Sequence, residues 1–395
     1  MYTKQAILVA GYDMNREGID FSRMCPYRMD MIRKKFPKEK IRFTVFDVGK
    51  GTVKWYEPDE KTGKIVISDA MKTSIITNPD YNPVTDPRDT VESKVPYKFD
   101  SVNDKNYTDE SGKVGYAFIA NTEKVMSITD MYTHIQDIGN SRDAGTLLEF
   151  SFFAHGFEGG PVLVNYWETY GKTSDQREPP DKDPRYLKDY KASVMNAKQL
   201  ENFKKAFDKN GICWSWGCSF PYGYNTILGT IFKTPKYKTK AIVPDNEKFE
   251  LKFEFDKNRD EAERNYAAIK EILSKYGKED EKKRVFQVSF TMKDIKDVFR
   301  KALEDSWGTA TTRGTGLNTY AAFTGTYADP FGGVMGVMQS KDQAAWTKAE
   351  QTMHERNPRH KVEPFHYFDQ TIKFYINYLG RTKDPENRGY GVFTP

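Results

Sequence analysis

Short apolar runs, each closed by a turn or a glycine, dominate the first half of the chain. Four runs predict the strands of a parallel sheet, namely Ala6–Ala10, Ile41–Val48, Leu147–Ala154 and Ile212–Trp216. Segments with helical spacing of apolar residues lie between them, and connections of that length favour parallel pairing. The pattern therefore predicts an α/β fold, with a mostly parallel sheet, helices on both faces, and inserted hairpins and loops.

Apolar residues spaced three and four positions apart predict the helices. These are Pro26–Phe36, Ser127–Ile138, Ala197–Lys209, Asn225–Phe232, Asp260–Tyr276, Asp294–Asp305, Ala344–His354 and Ile372–Leu379. Alternating polar and apolar positions predict two half-exposed strands, Phe249–Phe255 and Val285–Phe290. A turn at Lys61–Gly63 predicts a hairpin of Lys54–Tyr56 and Lys64–Ser68, and Tyr116–Ala120 and Asn318–Thr326 predict further strands.

The spacing of these elements predicts three regions. Residues 1–239 form the α/β core, with a long turn-rich and polar insertion at about 49–115. Residues 240–292 form an inserted α/β excursion, and residues 293–395 complete the core.

Composition narrows the function classes. The 395 residues are 30% charged and 38% hydrophobic, which is enough to bury a core. The net charge of +5 is spread without a long basic block, so no nucleic-acid partner is predicted. The first residues lack the pattern of a cleaved signal peptide, and no apolar stretch reaches the ~18 residues of a membrane span. We therefore expect a cytoplasmic protein, with export by a signal-independent route left open.

Cysteine and histidine usage predicts neither a disulfide framework nor a metal site. The three cysteines are irregularly spaced, and Cys25, His354 and His360 lack zinc-ligand spacing. The compact charged loop with Asp181, Asp183, Arg185 and Asp189 could bind a cation or a basic substrate group, but a solvated loop is favoured. The run Gly49–Thr52 lacks the first glycine of a phosphate-binding loop. No cofactor is predicted.

Two chemically capable residues follow predicted strands. His155 and Gly156 come after Leu147–Ala154, and Cys218 comes after Ile212–Trp216. Carboxyl ends of parallel strands meet at one sheet edge, where ligands bind in open α/β sheets. An imidazole can activate a thiol and protonate a leaving group, and the N–H of Gly156 could donate to a developing oxyanion. A buried inert cysteine and a structural histidine are the competing interpretation.

The segments LLEFSFFAHG and GICWSWGCS resemble the His-Gly and Cys blocks of the caspase-like cysteine peptidases. The order of strands and helices over about residues 1–220 is also similar. The resemblance implies a caspase-like fold, Cys218 as nucleophile, His155 as general base or acid, and backbone N–H groups of Gly156 and Cys218 as the oxyanion hole. The glycine-rich loop after His155 and the large insertion after residue 49 depart from the family pattern.

The sequence thus predicts a cysteine hydrolase, most simply a peptidase acting on a peptide or protein substrate. The predicted substrate-binding residues flank the two blocks: Phe157, Glu158, Gly159, Gly160, Trp216 and Ser219. The alternative is an inactive caspase-like binding or structural protein, for instance of a bacterial secretion or injection apparatus. The loop HGFEGGP also resembles the oxyanion loop of α/β-hydrolases, but Trp214–Phe220 lacks the G-x-S-x-G nucleophile elbow of that family.

Overall fold

Seventeen strands and eight α-helices are defined in the computed structural model, which describes residues 2–13, 21–48, 52–58, 65–68, 106–108, 114–116, 128–157, 160–165, 195–219, 222–255, 269–326, 366–386 and 388–395. The strands are β1 Lys4–Ala10, β2 Tyr12–Asp13, β3 Ile41–Asp47, β4 Thr52–Pro58, β5 Ile65–Ser68, β6 Asn106–Thr108, β7 Val114–Tyr116, β8 Leu147–Phe153, β9 His155–Phe157, β10 Gly160–Val162, β11 Val164–Asn165, β12 Phe207–Ser215, β13 Lys248–Glu254, β14 Gly277–Asp280, β15 Val285–Thr291, β16 Asn318–Ala321 and β17 Gly391–Phe393. The α-helices are α1 Met24–Lys35, α2 Ile128–Gly139, α3 Ala197–Ala206, α4 Tyr222–Phe232, α5 Pro235–Thr239, α6 Met292–Glu304, α7 Trp307–Thr315 and α8 His366–Leu379. A short 3-10 helix, Phe21–Arg23, precedes α1.

Eight strands form the main sheet, in the order β17-β16-β12-β8-β1-β3-β4-β5. Neighbours from β16 to β3 pair in parallel, whereas β3-β4 and β4-β5 pair antiparallel. The four strands predicted for the parallel sheet lie side by side, and the predicted hairpin is β4-β5. The mixed α/β architecture predicted from the sequence is confirmed.

The five parallel strands follow a doubly wound order. Counted along the chain from β1, their order across the sheet is 2-1-3-4-5, so the chain order reverses between β1 and β8. In sheets of this kind a crevice opens at the reversal point, beyond the carboxyl ends of the strands. His155 is the second residue after β8 and therefore lies at this point of the sheet.

Side chains of β8 show that helices cover both faces of the sheet. Glu149 faces α1, where Arg28 donates two hydrogen bonds to it. Phe150, on the opposite face, contacts Tyr132 of α2 edge-on, with the ring centroids 6.2 Å apart. Phe152 on that same face contacts Trp307 of α7. Successive strand residues alternate between faces, so both layers pack on one strand.

The C-terminal boundary predicted for the helix Ala197–Lys209 is wrong. The helix predicted to run to Lys209 ends at Ala206, and β12 begins at Phe207. The β12–β8 ladder is irregular between Phe207 and Ile212, and in this interval Asp208 accepts hydrogen bonds from the Lys4 ammonium and the Asn210 backbone. These contacts hold the segment in the sheet layer, although its side chains continue the helical pattern of α3.

The chain divides into two compact units. The first comprises Met1–Gly217, Trp307–Ala321 and Phe393–Pro395, and it contains the parallel strands. The second comprises Cys218–Ser306 and Ala322–Val392. The predicted boundaries at residues 239 and 292 stay predictions.

The second unit contains a three-stranded antiparallel sheet in the order β13-β15-β14. Both predicted alternating strands are confirmed as β13 and β15, and in β13 every second side chain is buried. A capping box of Thr291 and Asp294 begins α6, and its Phe299 contacts Phe374 of α8. Sequence patterning did not predict β14 or, in the first unit, α7. Of the predicted helix Asp260–Tyr276, residues 269–274 are helical and 256–268 lie outside the described residues, as does Ala344–His354.

Within the described segments, no helix combines the length and apolar character that a membrane crossing requires. The same segments contain no cluster of three or more His, Cys, Asp or Glu side chains suited to a metal ion.

Candidate functional site at the strand ends

The carboxyl ends of β1, β8 and β12 meet around Ala154. Hydrogen bonds continue the parallel ladders past the strands, from Gly11 N to Phe153 O at 2.7 Å and from Trp216 N to Phe152 O at 2.9 Å. A β-carbon on Gly11 would lie 2.7 Å from the Ala154 β-carbon, and one on Gly217 would lie 2.7 Å from the Ala154 oxygen. Glycine therefore allows both neighbouring strand ends to approach Ala154 closely.

His155 begins a small hairpin rather than an irregular loop. Strands β9 and β10 pair antiparallel, with His155 opposite Val162 and Gly156 opposite Pro161. The His155 side chain is half-buried, and its ring contacts Phe21 edge-on with centroids 5.3 Å apart. The hairpin thus holds the imidazole at the end of β8 and leaves part of it accessible.

The two predicted blocks meet through their backbones. A β-carbon built on Gly217 would lie 3.0 Å from Gly156 N and 3.1 Å from His155 C. Gly217 therefore packs directly on the His-Gly backbone, and Cys218 is the next residue in the chain.

Cys218 and Ser219 begin the second unit. The Cys218 side chain is partly exposed, whereas Ser219 is buried. The backbone of Ser219 is fixed by hydrogen bonds to Thr326 O at 2.9 Å and from Gly325 N at 2.7 Å. Burial raises the pKa of Tyr390 well above its ordinary value, and the charge of the Cys218 thiolate raises it further.

Gly160, the first residue of β10, packs on a tryptophan. Its φ of 129° is one that side-chain-bearing residues rarely adopt, and a β-carbon there would lie 2.7 Å from Trp307 Cδ1. The Trp307 ring also contacts Phe152 edge-on, with centroids 6.1 Å apart. Trp307 therefore supports the hairpin from α7, a role that no sequence signal indicated.

The remaining predicted substrate-binding residues have different outcomes. Trp216 is fully buried and stacks on Trp214 with ring centroids 4.1 Å apart, so its ring is part of the core. Phe157 lies in β9, but its side chain is outside the described part of the structure, as are Glu158 and Gly159.

A buried charged network lies on the α1 face below the strand ends. Arg28 Nε and Nη2 each donate to Glu149 across 2.7 Å, and the guanidinium lies 4.8 Å from the Trp216 ring centroid. Ser151 donates to Glu149, and the Trp216 indole donates to Ser151 at 3.3 Å. The network joins α1, β8 and β12, and it ends at the residue before Gly217.

Cys213 belongs to the core, as predicted. It is 1% exposed within β12, and burial, followed by the charge of Glu149, raises the pKa of its thiol. A thiol held neutral in this way is a poor nucleophile. Cys25 is also buried, so among the three cysteines only Cys218 is partly exposed.

Comparison of the chain with family models, with curated proteins and with solved structures finds no match.

Proposed function

We propose that the protein is a cysteine hydrolase, most simply a peptidase, in which His155 activates Cys218. The observation that carries the proposal is the packing of Gly217 on the His155–Gly156 backbone. It supports a common location for the two blocks, at the strand ends where doubly wound sheets bind ligands. The partly exposed Cys218, compared with the buried Cys213 and Cys25, supports its choice as the nucleophile.

In the proposed reaction, the His155 imidazole takes the thiol proton of Cys218, and the thiolate attacks the carbonyl carbon of the scissile amide. The N–H of Gly156 donates to the oxyanion of the tetrahedral intermediate. The C–N bond then breaks, the imidazolium gives its proton to the leaving amine, and a thioester remains. Water, deprotonated by His155, hydrolyses the thioester and regenerates the thiol.

The test is the pH dependence of thiol alkylation by iodoacetamide, measured for each cysteine by mass spectrometry on the full-length protein. We expect Cys218 to react first, with an apparent pKa below the ~8.5 of an unperturbed thiol. His155→Ala should return that apparent pKa toward ~8.5, and Cys218→Ala should remove the fast phase. Cys213→Ala is the control and should leave the rate unchanged.

An apparent pKa for Cys218 that is ordinary, or that does not change in His155→Ala, would refute the dyad. A dyad with a lowered pKa but no cleavage of a degenerate peptide library would refute peptidase activity. That second result would favour the alternative function, a caspase-like binding or structural protein.

A further inference from the structure

Thr44 and Trp55 form a cross-strand pair on the sheet face opposite α1. They are direct partners in the β3–β4 ladder, so their side chains lie on the same face. Thr44 is fully buried. Within the described residues, neither Thr44 Oγ1 nor Trp55 Nε1 has a hydrogen-bond partner, although both atoms are buried.

His134 of α2 brings a third atom of this kind to the same place. Its ring contacts Phe46 edge-on, with centroids 5.7 Å apart, and Phe46 follows Thr44 on the same face of β3. Arg42 lies two residues before Thr44 in β3, and its charge lowers the pKa of the His134 imidazole. The imidazole therefore lies over the row that contains Thr44, and its Nε2 is also buried without a partner in the described part of the chain.

The charged groups nearby already have partners. The Arg42 guanidinium lies between the Tyr2 and Trp55 rings, at 3.7 Å and 4.5 Å from their centroids, and its Nε donates to Glu57. Tyr2 donates to Asp143 at 2.5 Å. The groups that lack a partner are thus all neutral, since burial and Arg42 keep the His134 pKa at about 4.

A buried polar atom without a partner costs free energy, so three such atoms on one face of the β3–β4 pair favour an occupant that would satisfy them. Trp55 can only donate, Thr44 can donate or accept, and neutral His134 does either according to its tautomer. A ligand that complements these three groups presents an acceptor oxygen and carries no net charge. We propose that Thr44, Trp55 and His134 form a binding site for a small uncharged ligand that presents a carbonyl oxygen, of the amide type.

This site is separate from the strand ends. Thr44 and Trp55 lie within β3 and β4, on the far side of β1 from β8, and the proposal does not depend on His155 or Cys218. Trp55 and His134 are each half-buried as whole residues, whereas Thr44 is fully buried.

The test is a titration of the full-length ¹⁵N-labelled protein with acetamide, observed at the indole N–H signal of Trp55. Trp55→Phe assigns that signal by its disappearance. We expect a saturable downfield shift that the indole signals of Trp214, Trp216 and Trp307 do not share. Thr44→Val and His134→Phe should each weaken binding roughly tenfold, the effect of one lost hydrogen bond. Gln136→Ala, on the same helix, is the control and should bind as the wild type does.

Three results would overturn the proposal. The first is the absence of a saturable shift in the wild type, together with a water cross-peak at the Trp55 indole that acetamide does not displace. An ordered water would then be the occupant of the site. The second is tighter binding of acetate than of acetamide, which would mark an anion site. The third is unchanged acetamide affinity in both Thr44→Val and His134→Phe. Should a variant not fold, the wild-type titration alone decides between the outcomes.

Discussion

Arg28 and Glu149 form a bidentate ion pair in the interior of the first unit, with both N–O distances at 2.7 Å and each side chain no more than 4% exposed. They lie 121 positions apart in the sequence and join α1 to the centre of the sheet. Removing one partner of such a pair leaves an uncompensated buried charge, whereas replacing both by apolar residues does not.

We therefore expect Arg28→Met to lower the free energy of unfolding by about 3–5 kcal/mol. The double change Arg28→Met with Glu149→Leu should cost less than Arg28→Met alone, because no buried charge is left. Urea unfolding followed by tryptophan fluorescence measures both. The exposed pair Lys198–Glu201 is the control, and Glu201→Ala should leave the free energy of unfolding nearly unchanged, because solvent screens an exposed ion pair. A double variant less stable than Arg28→Met would contradict the expectation.

His134 should make stability depend on pH. Its pKa is lowered to about 4, so the unfolded state, with an ordinary pKa of ~6.5, binds the proton more tightly. The contribution is complete above pH ~6.5 and is lost as the pH falls toward ~4. Between pH 7.5 and pH 4.5 the loss amounts to roughly 2–3 kcal/mol.

His134→Phe should remove this component, so the difference in unfolding free energy between variant and wild type should change by roughly 2–3 kcal/mol over that interval. Urea unfolding at the two pH values measures it, and other titrating groups cancel in the comparison. A difference that stays constant with pH would show that the His134 imidazole is not held neutral.

Gly160 should tolerate alanine less well than Gly145, which also has a positive φ but stands in open space. Gly160 has a φ of 129° and packs on Trp307, while Gly145 has a φ of 79° and nothing within 4 Å of its β-carbon position. Gly145→Ala should cost about 1 kcal/mol, from backbone strain alone. Gly160→Ala should cost at least ~2 kcal/mol more, because Trp307 must shift. Thermal unfolding of both variants measures the difference, and equal costs would mean that Trp307 does not constrain the hairpin.

The sequence predicted the parallel sheet because its strands are local apolar runs. Leu147–Phe153 is buried at every position, so its composition alone identifies it as a central strand. Because His155 follows this strand in the sequence, it was predicted to lie at the strand end. The same reasoning applied to Cys218, which follows β12.

What could not be predicted depends on contacts between distant residues. Nothing local in Arg28 shows that it pairs with Glu149, and nothing local in Trp307 shows that it packs on Gly160. The early start of β12 at Phe207 depends on Lys4, about two hundred residues away, which pairs with Asp208. The site of Thr44, Trp55 and His134 was also missed, because strand register and a helix crossing bring these residues together.

The division of labour between His155 and Cys218 gives the last prediction, and it depends on the proposed hydrolase activity. Cys218→Ala should abolish turnover, because no acyl intermediate can form. His155→Ala should lower kcat by several orders of magnitude, and the double variant should be no worse than Cys218→Ala, since groups that act as a unit do not contribute additively.

Cys213→Ala should keep nearly full activity and lower stability by roughly 1 kcal/mol, because its thiol only fills space in the core. Peptide-cleavage kinetics on the four variants measure these effects. Turnover that survives Cys218→Ala but not Cys213→Ala would assign the nucleophile to Cys213, and turnover that survives both would exclude these two cysteines from the chemistry.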